Sequence, residues 1–284
     1  MSRNKQRTAA ANNPTAATPA VEQPSISPGT LSYVAPTEFV ELPSKGRLYP
    51  AGHPLHNEEV VELRYMTAKD EDILTSPALL KNGLALERLL QNLIVDKNIN
   101  PTNLLIGDRN ALLIAARVSG YGEEYQVNVG CPSCGAQVDH TFDLSLLTHT
   151  AVLPEDNDEV QLTKNGTFTT TLPKTNFPVE FRLLTGDDES YLNKASEKLK
   201  KLNLPDATAT NLLKKVILSV NGVETPAEIS NFVDNMPALD ARFLRACVQT
   251  VTPNIDMNQN FECSSCGTAT EMEVPFTVQF FWPQ

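Results

Sequence analysis

The sequence predicts an α+β fold in two pseudo-symmetric duplicated halves, each a β-hairpin and strand, then helices, then a Cys-x-x-Cys zinc-knuckle hairpin. Three observations predict it. Blocks of residues recur in the same order along the chain. In each copy the hydrophobic spacing switches between a strand period of two and a helical period near 3.6. The cysteines include two pairs of identical spacing.

The recurrence sets the domain plan. Val40–Gly46 returns as Val160–Gly166, 120 positions on, and Val61–Thr67 returns as Val179–Thr185, 118 positions on. Cys131-Pro132-Ser133-Cys134-Gly135 returns as Cys263-Ser264-Ser265-Cys266-Gly267, 132 positions on. Three collinear blocks imply a repeat over 31–150 and a second over 151–284, with one insertion near Lys200 to Thr210. Residues 1–30 are rich in Ala, Thr, Asn and Pro and hold almost no large apolar side chains. They are expected to form a disordered N-terminal arm that orders only against a partner. A basic start without a continuous apolar stretch behind it is not a secretory signal.

Each half opens with apolar alternation around a turn, at Lys45-Gly46 and at the stronger Asn165-Gly166 signal, which predicts a hairpin. Strands follow at Val60–Tyr65 and Val179–Leu183. They end at Thr67-x-x-Asp70 and Thr185-x-x-Asp188, the pattern of a capping box. Leu86, Leu89, Leu90, Leu93 and Ile94 then predict an amphipathic helix, as do Leu212, Leu213, Val216, Ile217 and Val220. A further helix is expected over 108–119 and over 240–251. Tyr125, Val127 and Val129 alternate into the first cysteine turn; Met272, Val274, Phe276 and Val278 alternate out of the second.

Charge and composition exclude several function classes. The 284 residues carry 23 Lys+Arg against 34 Asp+Glu, a net charge of −11. Arg3, Lys5, Arg7 and Glu22 give the arm +2, which leaves −13 on the rest. Such a body repels a phosphate backbone. No run approaches the ~18 apolar residues that span a bilayer.

Four of the five cysteines supply what a closed tetrahedral metal site needs. Two thiolates two residues apart can face one ion, and a following Gly allows the positive φ that turns backbone amides toward sulfur. Cys131, Cys134, Cys263 and Cys266 are therefore the candidate ligands of one structural zinc per chain, joining the two repeats. Two disulfides, a redox pair and an iron–sulfur cluster are the alternatives; the redox pair needs a helix at the motif, where alternating residues point to strands. His140 is a weaker substitute ligand, and Cys247, with Leu244, Val248 and Val251, is expected in the core.

Little else suggests chemistry. His53 and His56 with Glu58 and Glu59 read as a solvated loop, and Asp70-Glu71-Asp72 and Asp187-Asp188-Glu189 read as helix-start charges. No nucleophile elbow, P-loop or dinucleotide fingerprint is present. The basic and aromatic Leu42–Pro50 segment reads as a partner-contact loop. The C-terminal run Phe280-Phe281-Trp282 must dock, on this chain or on a neighbour.

Leu42-Pro43-Ser44-Lys45-Gly46 with Tyr49-Pro50, Met66-Thr67 before acidic residues and Ile73-Leu74, Gly107-Asp108-Arg109, Ser119-Gly120-Tyr121-Gly122 and the Cys131–Gly135 motif carry a resemblance. Over about residues 38–284 the chain resembles the baseplate hub proteins of T-even-like contractile-tailed bacteriophages. The resemblance implies a non-enzymatic virion component, assembled in the bacterial host cytoplasm into a symmetric multi-protein tail baseplate. Its partners would be other baseplate or tail proteins, met by the arm, the Leu42–Pro50 loop and the aromatic C-terminus. The alternative is a zinc-ribbon nucleic-acid-associated adaptor.

Overall fold

Strand β1 (Thr37–Glu41) does not turn back at Lys45-Gly46. It pairs antiparallel with β2 (Val60–Arg64), Thr37 opposite Arg64 and Glu41 opposite Val60. The computed structural model describes residues 34–150, 159–205, 207–276 and 278–281, side chains of 278 and 279 excepted. The expected N-terminal arm and Trp282 lie outside the described residues. Lys45 and Gly46 do turn, with φ 49° and 68°. A Cβ on Gly46 would stand 2.4 Å from the Glu58 nitrogen and 2.5 Å from the Leu55 oxygen, so this turn folds the loop onto itself instead of starting a strand.

The Leu42–Pro50 loop is consequently an internal anchor, which corrects its reading as a partner surface. Leu42, Pro43, Ser44, Leu48 and Tyr49 are buried, and only Lys45, Arg47 and Pro50 are exposed. The Ser44 N–H and hydroxyl donate to Asp108 at 2.9 and 2.6 Å, and the Tyr49 hydroxyl donates to the same carboxylate at 2.8 Å. Burial raises the Asp108 pKa against the pull of these bonds; burial, then the Asp108 charge, raises that of Tyr49.

Helices α1 (Ala68–Thr75), α2 (Pro77–Lys81) and α3 (Ala85–Leu93) follow. Thr67 and Asp70 form the expected capping box. Helix α3 buries Leu89, Leu90 and Leu93, each worth about 1.5–3 kcal/mol. Ile94 leaves the helix and bridges Leu63 of β2. Then come α4 (Ile106–Tyr121), β3 (Glu124–Gly130), β4 (Gln137–Asp143) and β5 (Thr148–Thr150).

In the second half of the sequence, β6 (Gln161–Leu162), β7 (Phe168–Thr171), β8 (Pro178–Phe181) and β9 (Ile217–Val220) form one antiparallel sheet in that order. The Asn165-Gly166 turn does join a hairpin, with Gly166 at φ 75°. Helices α5 (Gly186–Lys201) and α6 (Thr208–Val216) separate β8 from β9. The expected helix over Leu212–Val220 breaks at Val216. Burial of Leu213, Val216, Ile217 and Val220 suits a helix face by spacing, but the last two belong to a strand whose register shifts between Ser219 and Ile217, so both are buried and Ile217 pairs with Phe181. Helices α7 (Pro226–Asn235) and α8 (Ala238–Val251) precede β10 (Asn254–Asp256), β11 (Asn258–Glu262) and β12 (Ala269–Glu273). Val278 lies in a 3₁₀ turn, not on a continued strand.

The two halves show matched contacts. Glu38 faces Leu63 and Val40 faces Val61 in β1/β2; Phe168 faces Phe181 and Thr170 faces Val179 in β7/β8. Arg64 grips Asp70 with two bonds of 3.0 and 3.1 Å, and Arg182 grips Asp188 with two of 2.6 and 3.0 Å. Asp240, like Asp108, is fully buried and accepts backbone N–H bonds, from Lys174 at 2.7 Å and Thr175 at 3.1 Å. The Lys174 and Thr175 N–H groups thus meet Asp240 much as the Ser44 N–H meets Asp108.

Among the described residues one continuous core runs from Leu42 to Phe281. Leu105 bridges Thr185, the Gly186 N–H donates to the Leu104 carbonyl at 3.0 Å, and Arg109 pairs with Glu189. Gly107 lets α4 approach Pro253 so closely that a Cβ would lie 1.9 Å from the carbonyl oxygen. Of the aromatic C-terminal run, Phe280 and Phe281 dock on their own chain, where both are fully buried. Arg117, 1% exposed, donates to the carbonyls of Phe280, Gly122 and Glu124 at 2.9, 2.8 and 3.1 Å.

Two outcomes follow. Asp108→Ala leaves three buried donors without their acceptor and lowers unfolding free energy by about 3 kcal/mol or more in urea titration. A loss below about 1 kcal/mol would contradict the anchor. Asp70 and Asp188 face burial, which raises their pKa values, but bonds from Arg64 and Arg182 and from the caps hold both below the usual carboxylate range. Their stabilisation is present above the unfolded carboxyl value near ~4 and is lost as pH falls through the lower folded value. Thermal melts from neutral to acid pH should therefore show a Tm decline that Asp70→Asn and Asp188→Asn both flatten.

Candidate metal centre

The cysteine turns follow from strand alternation. On β3, Tyr125 and Val129 face inward, and Val138 and Phe142 do so on β4, so the hairpin tip emerges with Cys131 pointing in. The Cys131 N–H donates to the Ala136 carbonyl and the Gly135 N–H to the Cys131 carbonyl, both at 2.9 Å. The second tip repeats this with Cys263 N–H to Thr268 at 3.0 Å and Gly267 N–H to Cys263 at 2.8 Å. Gly135 and Gly267 have φ 73° and 69°, and a Cβ on either would meet nothing within 4 Å. Glycine is needed there for backbone conformation, not for space.

The tips meet crosswise. Cys131 Sγ lies 3.9 Å from Cys266 Sγ, and Cys134 Sγ lies 3.9 Å from Cys263 Sγ. All four sulfurs lie within 4.8 Å of one another. A tetrahedral ion with metal–sulfur bonds of about 2.3 Å separates its ligands by about 3.8 Å, so the donor set fits zinc. A disulfide needs about 2.05 Å, and all five cysteines are free. Cys131 and Cys263 are buried; Cys134 and Cys266 are at the surface.

Three of the thiols depart from the ordinary cysteine value. Backbone N–H groups of Cys134 and Ser133 lower the Cys131 pKa. The Thr268 hydroxyl, 3.2 Å from Cys266 Sγ, and the Thr268 N–H bring Cys266 down to about 6. The Ala136 N–H favours the Cys134 thiolate, but the neighbouring thiols outweigh it and push this group up to about 11. Donors aimed at some sulfurs and mutual repulsion at others describe a cluster suited to holding a cation.

The two ribbons are locked side by side below the sulfurs. The Gln259 amide mimics a strand: its Nε2 donates to the Asp143 carbonyl at 2.6 Å, and the Asp143 N–H donates to its Oε1 at 3.1 Å. His140 sits edge-on to Phe142 and Phe261, with ring centroids at 4.6 and 5.1 Å. It is a packing residue and not a member of the sulfur cluster. Strands β5 and β10 pair antiparallel nearby.

The remaining candidates are structural. Cys247 is 4% exposed in α8, and burial raises its thiol pKa. His53 stacks on Tyr49 at 4.4 Å, and His56 Nδ1 lies 2.7 Å from the Tyr49 carbonyl oxygen. Sequence reasoning met Asp108 only within a resemblance motif and at a helix start, met Asp240 only at a helix start, and assigned neither these nor Gln259 a role. A signal existed for the first two: they stand 132 positions apart, the offset of the cysteine pairs.

Fold and site together define an α+β protein with a convergent four-thiol centre. The chain matches the family model of the T4 bacteriophage base plate protein over residues 35–282, and it belongs to that family. No curated protein and no solved structure matches it. Membership makes it a structural protein of the phage tail baseplate, located in the virion tail and working against other tail and baseplate proteins. Among the described residues no helix is long and apolar enough to cross a membrane.

Since only conformation requires the two glycines, Gly135→Ala and Gly267→Ala should each cost about 1–2 kcal/mol in denaturant unfolding. A loss of more than about 4 kcal/mol at either position would mean that the turn packs against something.

Proposed function

We propose that this chain is a non-enzymatic building block of the hub region of a contractile-tail baseplate, its two duplicated halves stapled by one structural zinc ion. The observation that carries the reading is the convergence of Cys131, Cys134, Cys263 and Cys266 from tips 132 positions apart. An ion bound by two thiolates from each tip would close a loop of more than a hundred residues and so restrict the unfolded chain. The matched β-pair registers, capping boxes and buried Asp108 and Asp240 support a duplicated unit over 31–150 and 151–284. The unmatched pieces would then be β6, the turn after α5, and α7. The basic arm, residues 1–30, is proposed as a partner-binding segment. A zinc-ribbon nucleic-acid adaptor is disfavoured, because residues 118–163 and 246–284, which build both ribbons, contain no Lys or Arg.

Elemental analysis with thiol titration tests the staple. One zinc per chain is expected, with four thiols released together on chelation and Cys247 reacting only on unfolding. Cys134→Ser and Cys266→Ser should each remove the metal and lower Tm alike. Iron with sulfide in place of zinc would point to a cluster, and metal-free protein with linked cysteines would refute the staple.

A further inference from the structure

The missing basic residues have a second consequence. At the chain's mean composition, stretches 118–163 and 246–284 would hold about seven of the 23 Lys+Arg; they hold none. Strand pairing puts acidic residues on the outer face of each ribbon. Glu124 faces Asp143 and Asn128 faces Asp139 on the first ribbon; Asn260 faces Glu271 and Asn258 faces Glu273 on the second. These positions alternate with the inward Tyr125, Val129, Phe142 and Phe261, so they share the outer faces. A groove of about 380 Å³ lies between the two ribbons, lined by Thr141, Asp143, Asn258 and Glu271 from outer-face positions, by His140 and Gln259 from inner ones, and by Leu146. Leu146 is 65% exposed.

The opposite chemistry lies on α5. Tyr191, Lys194, Lys198 and Lys201 recur at helical spacing on one exposed face. Lys215 of α6 adds its charge above the Tyr191 ring, at 4.1 Å. Glu197 lies 4.0 Å from Lys201, and Glu87 and Glu189 line a groove with Lys194, so the face is basic in balance and not free of acids. Leu202 and Leu204 extend the face and are 60% and 52% exposed. Surfaces of soluble proteins ordinarily intersperse the two signs; here one sign predominates on each surface, beside exposed leucines.

We propose that the two surfaces are each other's partners: the Tyr191–Leu202 face of α5 in one copy docks on the acidic outer face of the ribbons in a second copy. The contact is heterologous, so it repeats from copy to copy and closes into a ring where the rotation allows. Charge complementarity selects a second copy, since one chain carries both faces, and the leucines supply the apolar area that charge alone lacks. The contact rests on these surfaces and not on the metal or the hub position. A monomer that still binds zinc would overturn it and leave that reading standing.

Sedimentation velocity on the full chain tests it. Wild type should associate as concentration rises toward roughly 100 µM, and less so as salt shortens the Debye length from about 10 Å at 0.1 M to about 3 Å at 1 M. Lys194→Glu with Lys198→Glu, and separately Glu271→Lys with Glu273→Lys, should each weaken association roughly tenfold or more while circular dichroism stays unchanged. Mixing the two variants restores complementarity and should restore association. Monomeric wild type at low salt, charge-reversed variants that associate like wild type, or a mixture that stays apart would each overturn the proposal.

Discussion

Four sulfur atoms within 4.8 Å is the demand that the rest of the structure serves. Thiolates that close repel unless a cation or aimed donors hold them, so each hairpin tip must be placed to within a fraction of an ångström. The placement begins far from the sulfurs. Gly107 seats α4 against Pro253, Gln259 clasps Asp143, and Phe261 packs beneath His140. These contacts bring residues from opposite halves of the sequence to one place before any ion is considered.

A second layer of constraint is polar and buried. Asp70, Asp108 and Asp240 are fully buried and Asp188 is nearly so, and each accepts hydrogen bonds at a loop or helix start. A loop that donates to such a carboxylate cannot drift, because a buried carboxylate without its donors is costly. Arg117 does the converse: a buried guanidinium fixes three carbonyls and stands over the rings of Tyr121, Tyr125 and Phe280. Directional bonds at a handful of sites thereby orient long, irregular connections that hydrophobic burial alone would leave underdetermined.

What could be read from the sequence follows the range of the physics involved. Local rules were sufficient for both capping boxes, α3, α4, α8, the Asn165-Gly166 hairpin and the cysteine turns, since each depends on neighbours within a few residues. They failed where a distant segment decides. Lys45-Gly46 turns as its residues prefer, but β1 pairs with β2 on the far side of the loop. Ile217–Val220 has helical spacing, yet β8 offers it an edge. Tyr49 sits in a segment whose basic and aromatic residues suited either a contact loop or a hairpin packed on the core, and the buried Asp108 shows why it faces inward. The four ligating candidates were legible because identical spacing, recurring once, is a long-range signal written in local form.

The crosswise order of the sulfurs has a consequence in time. Each pair of close sulfurs joins one residue from the first tip to one from the second. At about 5–20 residues per second, the second tip leaves the ribosome roughly 7–26 s after the first. Through that interval Cys131 and Cys134 stand without their partners, and the inner face of the first ribbon waits for Phe261 and Phe280. The protein reaches its native state late in synthesis, and its first thiols pass that interval open to oxidants and to competing metals.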